Sequence, residues 1–202
     1  MTEGIGNSSA AERNKRPIFE ALLPWLHSAA SVLEVGAGDA THARYAAHHL
    51  PATRWQTSEA PGHVRRLAAA IADDRSLSAQ HLPTPLALDV RQRWPDDVYD
   101  AVFAANVAHI MDWNAVEALF AGAGTHLAAA GVFCLYGPFF DAAEGPPAAG
   151  NERFDRVLRA QDAAMGVREL AELDELAGHA GLTSTARIDM PANNRLVIWR
   201  RD

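Results

Sequence analysis

The stretch Val32-Leu33-Glu34-Val35-Gly36-Ala37-Gly38-Asp39-Ala40-Thr41 constrains this chain more than any other. A short apolar strand runs into a tight glycine turn, and the turn runs into a segment of helical character. Glycine takes up left-handed backbone angles without a steric penalty and lets a ligand approach the main chain closely. A helix that follows such a turn presents N–H groups with no intrahelical partner. The combination predicts a cofactor site of nucleotide type, although a glycine turn that merely joins strand to helix carries the same letters.

Two residues bear on which cofactor this is. A dinucleotide fingerprint reads Gly-x-Gly-x-x-Gly/Ala, with the diphosphate on the helix N-terminus. Here the third small position is Thr41, and the acidic Glu34 stands two residues before Gly36. Acid-x-Gly-x-Gly is the pattern of S-adenosylmethionine (SAM) enzymes, whose cofactor lacks a diphosphate and ends in an ammonium that needs an acceptor. On this reading Glu34, Gly36, Ala37 and Gly38 hold the methionine part of SAM. A nicotinamide cofactor is the alternative, disfavoured by Thr41 and by the lack of a Tyr-x-x-x-Lys pair.

A length of 202 residues suits one domain. The net charge of −7 excludes broad binding to a phosphate backbone, which needs clustered Lys and Arg; the groups Arg13-Asn14-Lys15-Arg16 and Arg65-Arg66 are too short for it. No nucleic acid is expected as partner, and a small-molecule substrate is. No apolar run approaches the length of a membrane span, and Met1-Thr2-Glu3-Gly4 does not open an export signal, so a cytoplasmic protein without membrane contact is expected. Cys134 is the only cysteine, which excludes an intrachain disulfide and a cysteine metal cluster. His42, His48, His49 and His63 lack carboxylate or cysteine companions at ligand spacing, so no metal is predicted.

Along the chain, Pro17 opens a predicted helix over 18–27, and strands and helices then alternate. Strands are predicted at 32–35, 53–57, 86–90, 99–105 and 131–136, with helices at 40–49, 62–73 and 113–128 between them. The unbroken run Ala101-Val102-Phe103-Ala104-Ala105 suits a parallel strand buried on both faces. Residues 137–150 read as a loop or lid, and Asn151 reads as the cap of a helix that is interrupted near Gly166 and resumes to about Ala180. Segments 183–190 and 195–200 flank the turn Pro191-Ala192-Asn193-Asn194 as an antiparallel hairpin. The expected fold is therefore a single α/β domain, Rossmann-like. It has a mostly parallel seven-stranded sheet closed by a C-terminal antiparallel hairpin, with helices on both faces. That hairpin is unusual for nicotinamide folds and usual for the class I methyltransferase sheet. Residues 1–16 are expected to form a cover segment ahead of the domain at 17–202.

Ligands of such sheets bind at the carboxyl ends of the strands. Glu59 follows the second strand at the spacing where an acid accepts from ribose hydroxyls; before Pro61 it also reads as a helix-entry acid. Asp89, with Val90 beside it, is placed to receive the exocyclic amine of adenine, because a carboxylate at an apolar strand end needs a reason. Asn106 and His109 follow the fourth strand where cofactor and substrate meet; His109 suits a general base, and equally a hydrogen-bonded core histidine. Trp113 suits a pocket wall or helix packing. Tyr136 ends the fifth strand, and Asn151, Glu152 and Asp155 suit either a polar substrate or a helix start.

The chain resembles a class I SAM-dependent methyltransferase-like family of uncharacterised role that includes methyltransferase-like protein 26. The resemblance rests on Arg13-Asn14-Lys15-Arg16-Pro17-Ile18, the glycine segment, Trp55-Gln56-Thr57-Ser58-Glu59, Leu88-Asp89-Val90 with Trp94-Pro95, and Tyr99 through Ile110. It continues in Leu135-Tyr136-Gly137-Pro138-Phe139, Asn151-Glu152-Arg153-Phe154-Asp155, Leu158-Arg159 and Met190-Pro191-Ala192-Asn193-Asn194. It implies SAM as cofactor and methyl transfer to a small-molecule nucleophile. The implied catalytic set is His109, Asn106 and Tyr136, with Trp113, Tyr136, Asn151, Glu152 and Asp155 toward the substrate. Asn14 and Lys15 would fold over the cofactor. The family pattern has an aspartate where Glu59 stands, a Gly-Thr-Gly-like continuation where this chain has Asp39-Ala40-Thr41, and a Trp-Gly pair where it has Met165-Gly166. The same pocket permits aminopropyl transfer or cyclisation that releases methylthioadenosine, and SAM binding without catalysis. The sequence also leaves a homodimer open.

Overall fold

A computed structural model describes residues 10–74 and 78–202. The parallel half of the sheet is built from β1 (Ser31–Val35), β2 (Arg54–Glu59), β3 (Leu86–Ala87), β4 (Tyr99–Ala105) and β5 (Leu127–Phe140). A two-residue β6 (Arg168–Glu169) pairs with the end of β5, and β7 (Leu182–Met190) and β8 (Asn194–Arg201) form the antiparallel hairpin. The strand order is β3-β2-β1-β4-β5-β8-β7, with β6 off this path, so the expected seven-stranded sheet with its C-terminal hairpin is present with one short addition. β1 lies between β2 and β4, which makes its carboxyl end the point where the sheet reverses its winding.

Alternate side chains of each strand serve opposite faces. Leu33, Val35, Val102, Ala104, Phe133 and Leu135 pack under α4 (Trp113–His126) and α6 (Leu170–His179). Val32, Ala101, Phe103, Val132, Cys134 and Tyr136 pack under α1 (Ala10–Leu26), α2 (Thr41–His49) and Leu67 of α3 (Val64–Ala72). Burial pushes the Cys134 thiol up, which leaves it an apolar core group.

Several expectations are corrected. The first helix does not begin at Pro17; it runs from Ala10 through both Pro17 and Pro24. Proline inside a helix costs about 3 kcal/mol. Burial of Ile18, Phe19, Leu22 and Leu26 on the sheet, with the pairs Lys15–Glu12 and Arg16–Glu20 one turn apart, offsets that cost. The outer part of the expected cover, residues 1–9, lies outside the described residues, and the inner part is the first turns of α1. The third strand stops at Ala87, so Asp89 stands in the turn that follows it.

Gly137-Pro138-Phe139-Phe140 is strand and not lid, because β8 holds it in register: Gly137 pairs with Arg195 and Pro138 with Asn194. A short 3-10 turn (Ala142–Glu144) and α5 (Ala149–Gln161) follow. Asn151 is therefore not the cap of α5 but lies within its first turn, and Ala148 at the cap offers no side-chain acceptor. The helix does not resume after Gly166 directly; β6 intervenes before α6.

Candidate functional site

The glycine turn is folded by its own hydrogen bonds. Gly36 and Gly38 have φ of 72° and 60°, and Ala40 has φ of 63°. A Cβ on Gly36 would stand 2.6 Å from Val107 Cγ1, so side-chain packing as well as backbone angle demands glycine there. Gly36 N and Ala37 N both donate to Ser58 O at 3.1 and 3.0 Å, and Gly38 N donates to Glu59 Oε2 at 2.9 Å. Ala40 N donates to Ala37 O, and Thr41 N donates to Asp39 Oδ1 at 3.1 Å. The expectation of unpaired helix N–H groups at the turn is thus corrected for Thr41: Asp39 takes its donor. Burial pushes the Asp39 carboxyl up, but its bonds from Thr41 and the nearby Arg44 outweigh this and hold it below the ordinary range. The amides of Gly36, Ala37, Gly38, Ala40 and Thr41 are thus taken, and the Glu59 carboxylate stands beside the turn.

Glu59 and Asp89 share a cleft of about 300 Å³ with Gly36, Val90, Met111 and Asp112. That volume is at the lower end of small-molecule sites. Glu59 bridges Gly38 N and its neighbour Ala60 N with its two oxygens. Asp89 accepts from Arg91 N at 3.1 Å, and the Arg91 guanidinium lies 3.7 Å from Asp89 and pairs with Asp112. Asp112 also caps α4 by accepting from Ala115 N at 2.9 Å. Arg91, Met111 and Asp112 were not among the expected site residues; an Asp immediately before the helical stretch at Trp113 was the available signal for the last.

At the ends of β4 and β5, Asn106 has φ of 59°, a left-handed value uncommon outside glycine, and its N–H donates to Tyr136 O at 2.8 Å. His109 is buried beside Gly137, and its ring meets Phe154 edge-on at 5.3 Å. Burial, and then the positive charge of Arg168, lowers its pKa to about 4, so the imidazole is neutral at neutral pH. Arg168 clamps this segment: its guanidinium donates to Ala108 O at 3.1 Å, to Met111 O and to Ala164 O, and it lies 5.7 Å from the centre of the Trp113 ring. Gly166 N adds a bond to His109 O at 3.0 Å. Sequence reasoning missed Arg168 because its partners lie 57 and 60 residues away.

Glu34 is buried, and its carboxyl accepts from Trp55 Nε1 at 2.7 Å. Phe103 is its register partner on β4, and its pKa is raised to about 8 by burial, with Asp39 and Glu59 adding to the effect. His42 Nδ1 lies 3.8 Å from Glu34 Oε1, while His42 Nε2 is 2.9 Å from Asn14 Oδ1. Lys15 is paired with Glu12 at 2.6 Å and lies over the Tyr45 ring.

The structure thus gathers Gly36, Glu59, Asp89 and Val90 in one cleft, links Glu34 and Asn14 through His42, buries Tyr136 within β5, and sets Asn106 and His109 after the end of β4. The expected substrate residues on α5 separate. Asn151 is buried, donates to Phe139 O and Asn193 O, and lines a second cavity of about 470 Å³. In that cavity Arg195 pairs with Asp141, Glu144 and Asp189. Asp155 is tied to Arg159 and to Val167 N, and Glu152 is exposed and lines neither space. Among the described residues no group of three or more His, Cys, Asp or Glu is placed to hold a metal ion, and no helix is long and apolar enough to cross a membrane.

A family model described as a protein of unknown function, DUF938, matches residues 6–201. Among solved structures, a putative O-methyltransferase from Nostoc punctiforme superposes with a TM-score of 0.78 at 16% identity, over 94% of this chain and 56% of the other. The mitomycin 7-O-methyltransferase MmcR gives 0.76 at 19% identity, over 98% and 59%. Human N-acetylserotonin methyltransferase, solved in complex with SAM, gives 0.73 at 15% identity, over 93% and 51%. The chain therefore spans just over half the length of these structures, and identities this low establish a shared fold.

Proposed function

The chain belongs to the DUF938 family of proteins of unknown function, and we propose that it binds SAM and transfers the methyl group to a nucleophile on a small molecule. In this reading its family is the one that includes methyltransferase-like protein 26. The observation that carries the proposal is the chemistry of the glycine turn. A diphosphate needs free N–H donors and no adjacent carboxylates. Here the amides of Gly36, Ala37, Gly38 and Thr41 are already bonded, and Glu59, Asp89 and Asp112 line the adjoining cleft as acceptors. Ribose hydroxyls, an adenine amine and an ammonium are donors that such a site fits. The fold shared with solved methyltransferases supports the same reading.

Bound SAM would supply an electrophilic methyl on its sulfonium. The residues then have to hold, align and exclude water. Glu59 accepts from the ribose hydroxyls while the Gly38 and Ala60 amides keep its oxygens in place. Asp89 accepts from the adenine amine beside Val90, and the Gly36–Gly38 backbone receives the methionine part. Asn106, held left-handed by its backbone bond to Tyr136 O, follows β4, and its carboxamide would serve where cofactor and substrate meet. His109 stays neutral above about pH 4, so its free lone pair can accept a hydrogen bond from the O–H or N–H of an acceptor molecule throughout the physiological range. The second cavity, bounded by Asn151, offers space of small-molecule size on the substrate side.

Calorimetric titration with S-adenosylhomocysteine and, separately, with NADH tests this. Binding of the first alone is expected, and Glu59→Ala should weaken it about 100-fold by removing a charged acceptor. Binding of NADH alone would overturn the reading. Mass spectrometry of an incubation with SAM and candidate acceptors then separates methyl transfer, which yields S-adenosylhomocysteine, from release of methylthioadenosine.

A further inference from the structure

The cavity of about 470 Å³ lies between the 3-10 turn Ala142–Glu144, the start of α5 and the turn that joins β7 to β8. It shares no residue with the cleft that holds Glu59 and Asp89. We infer that this cavity binds a protonated amine carried on an apolar body. That the amine belongs to the acceptor of the methyl group rests on the methyltransferase reading, whereas the binding itself does not.

The atom that lacks a partner in this cavity is an acceptor. Asn151 is 7% exposed, and its Nδ2 donates to Phe139 O at 3.3 Å and to Asn193 O at 3.0 Å. These two carbonyls decide which way the carboxamide faces, because turning it over would set its oxygen against two other oxygens. Both amide hydrogens are thereby spent. Oδ1 has no donor among the described residues and is not one of the atoms sealed in the core, so it opens onto the cavity that the residue lines. A carbonyl oxygen held there is underused until a donor reaches it.

The charges around it select the donor. Three carboxylates, Asp141, Glu144 and Asp189, line the space against one guanidinium, Arg195. Each nitrogen of Arg195 already faces one of them: Nη1 Asp141, Nη2 Glu144 and Nε Asp189. An anion would have to break one of these pairs, and the lining stays negative with all of them made. Pro146 and Pro147 contribute no N–H, and Asn194 Nδ2 is spent on Pro191 O. Ala149 and Gly150, whose N–H groups open α5, do not line the cavity. Against these, Asn151 Oδ1, Glu144 Oε1 and Asp189 Oδ2 have no hydrogen bond among the described residues. A charged ammonium gains most from such acceptors, and the Phe139, Pro146 and Met190 walls receive carbon. Phe139 also joins the cavity to the reaction side. Its ring and His109 Nδ1 stand 3.8 and 3.7 Å from the position that a Cβ on Gly137 would take, so a molecule anchored by its amine can extend along Phe139 toward His109.

Amide NMR of nitrogen-labelled protein, without cofactor, reads the binding with three probes that share one body: phenethylamine, phenethyl alcohol and hydrocinnamate. The amine is expected to shift amides in residues 141–145 and 189–195 and to bind at least about tenfold more tightly than the other two. No shift with the amine, or equal or tighter binding of hydrocinnamate, overturns the inference. Glu144→Gln combined with Asp189→Asn changes two exposed side chains and should weaken the amine about fivefold. Asn151→Ala should weaken it about tenfold. Unchanged affinity in either folded variant overturns the inference, and if Asn151→Ala does not fold, the double variant decides. S-adenosylhomocysteine should leave the amine in place; displacement would put the amine in the cofactor cleft and overturn the site. A chain that binds the amine but no S-adenosylhomocysteine sinks the methyltransferase reading and keeps the site, and the reverse result keeps that reading and removes the site.

Discussion

The two faces of the sheet are packed by different rules. Under α4 and α6 the contact is mostly carbon, the Tyr99 hydroxyl and the Trp199 indole N–H bonded to Asp174 being the polar exceptions: Phe120 meets Phe133 and Trp199 edge-on at 5.1 Å each, and Phe133 stacks on Trp199 at 5.6 Å. Under α1 and α2, at matching depth, stand Glu34, the indole N–H of Trp55, His42, and Thr57, whose Oγ1 has no partner among the described residues. Buried polar groups cost stability unless fully satisfied, so a chain that needed only to fold would use carbon on both faces. One face builds the domain, and the other gives up stability to place polar atoms behind the glycine turn.

Breaking the apolar face should have the largest effect. Phe120→Ala removes a ring that touches two others at full burial, and truncations of this kind cost about 3–5 kcal/mol. Urea unfolding should show that loss, while the fraction still folded should bind S-adenosylhomocysteine with unchanged affinity. A parallel loss of affinity would mean that the two faces do not divide their labour as argued.

The polar face should announce itself through pH. The folded-state pKa of Glu34 is raised from 4.5 to about 8, so the folded chain holds a proton that the unfolded chain has released, and stability falls as pH rises between those values. His42 and His109 are lowered from 6.5 to about 4; the unfolded chain then holds more protons, and stability rises with pH across that interval. Below pH 6.5 two rising contributions oppose one falling one, and above it the falling one stands alone. These groups together place a stability maximum near pH 6.5, with a decline of about 1.4 kcal/mol per pH unit toward pH 8. Glu34→Gln, a neutral isostere of the protonated acid, should abolish the decline. Persistence of the decline in that variant would show that Glu34 is ionised when folded.

The contrast also explains what could be read from sequence. Runs such as Ala101 to Ala105 and the turn at Pro191–Asn194 declare their strands locally, and Glu59 closes β2 and Asp89 follows β3 at spacings the fold dictates. The start of α1 was misread because Pro17 is a helix-opening signal whose cost was overridden by burial against β4 and β5, which lie far away in sequence. The strand character of Gly137-Pro138 was hidden because its register partner lies in β8. His42 and Arg168 act across 28 to 60 residues, and pairing at that range leaves no periodicity in a single chain.

The smallest effect is expected where sequence pattern and geometry part. Glu152 and Asp155 lie one turn apart on α5, and as letters they look equivalent. Asp155 accepts from Arg159 and from Val167 N and so ties α5 to the segment that holds His109, whereas Glu152 is exposed and makes no hydrogen bond of its side chain among the described residues. Its remaining contribution is a negative charge in the first turn of a helix whose cap offers no side-chain acceptor, worth about 0.3–1 kcal/mol. Glu152→Ala should therefore shift the urea midpoint by no more than that charge is worth and leave S-adenosylhomocysteine affinity and turnover of any identified acceptor unchanged. A loss of turnover at constant cofactor affinity would move the substrate away from the His109 side and onto the outer face of α5. The polar function would then extend beyond the face of the sheet that α1 and α2 cover.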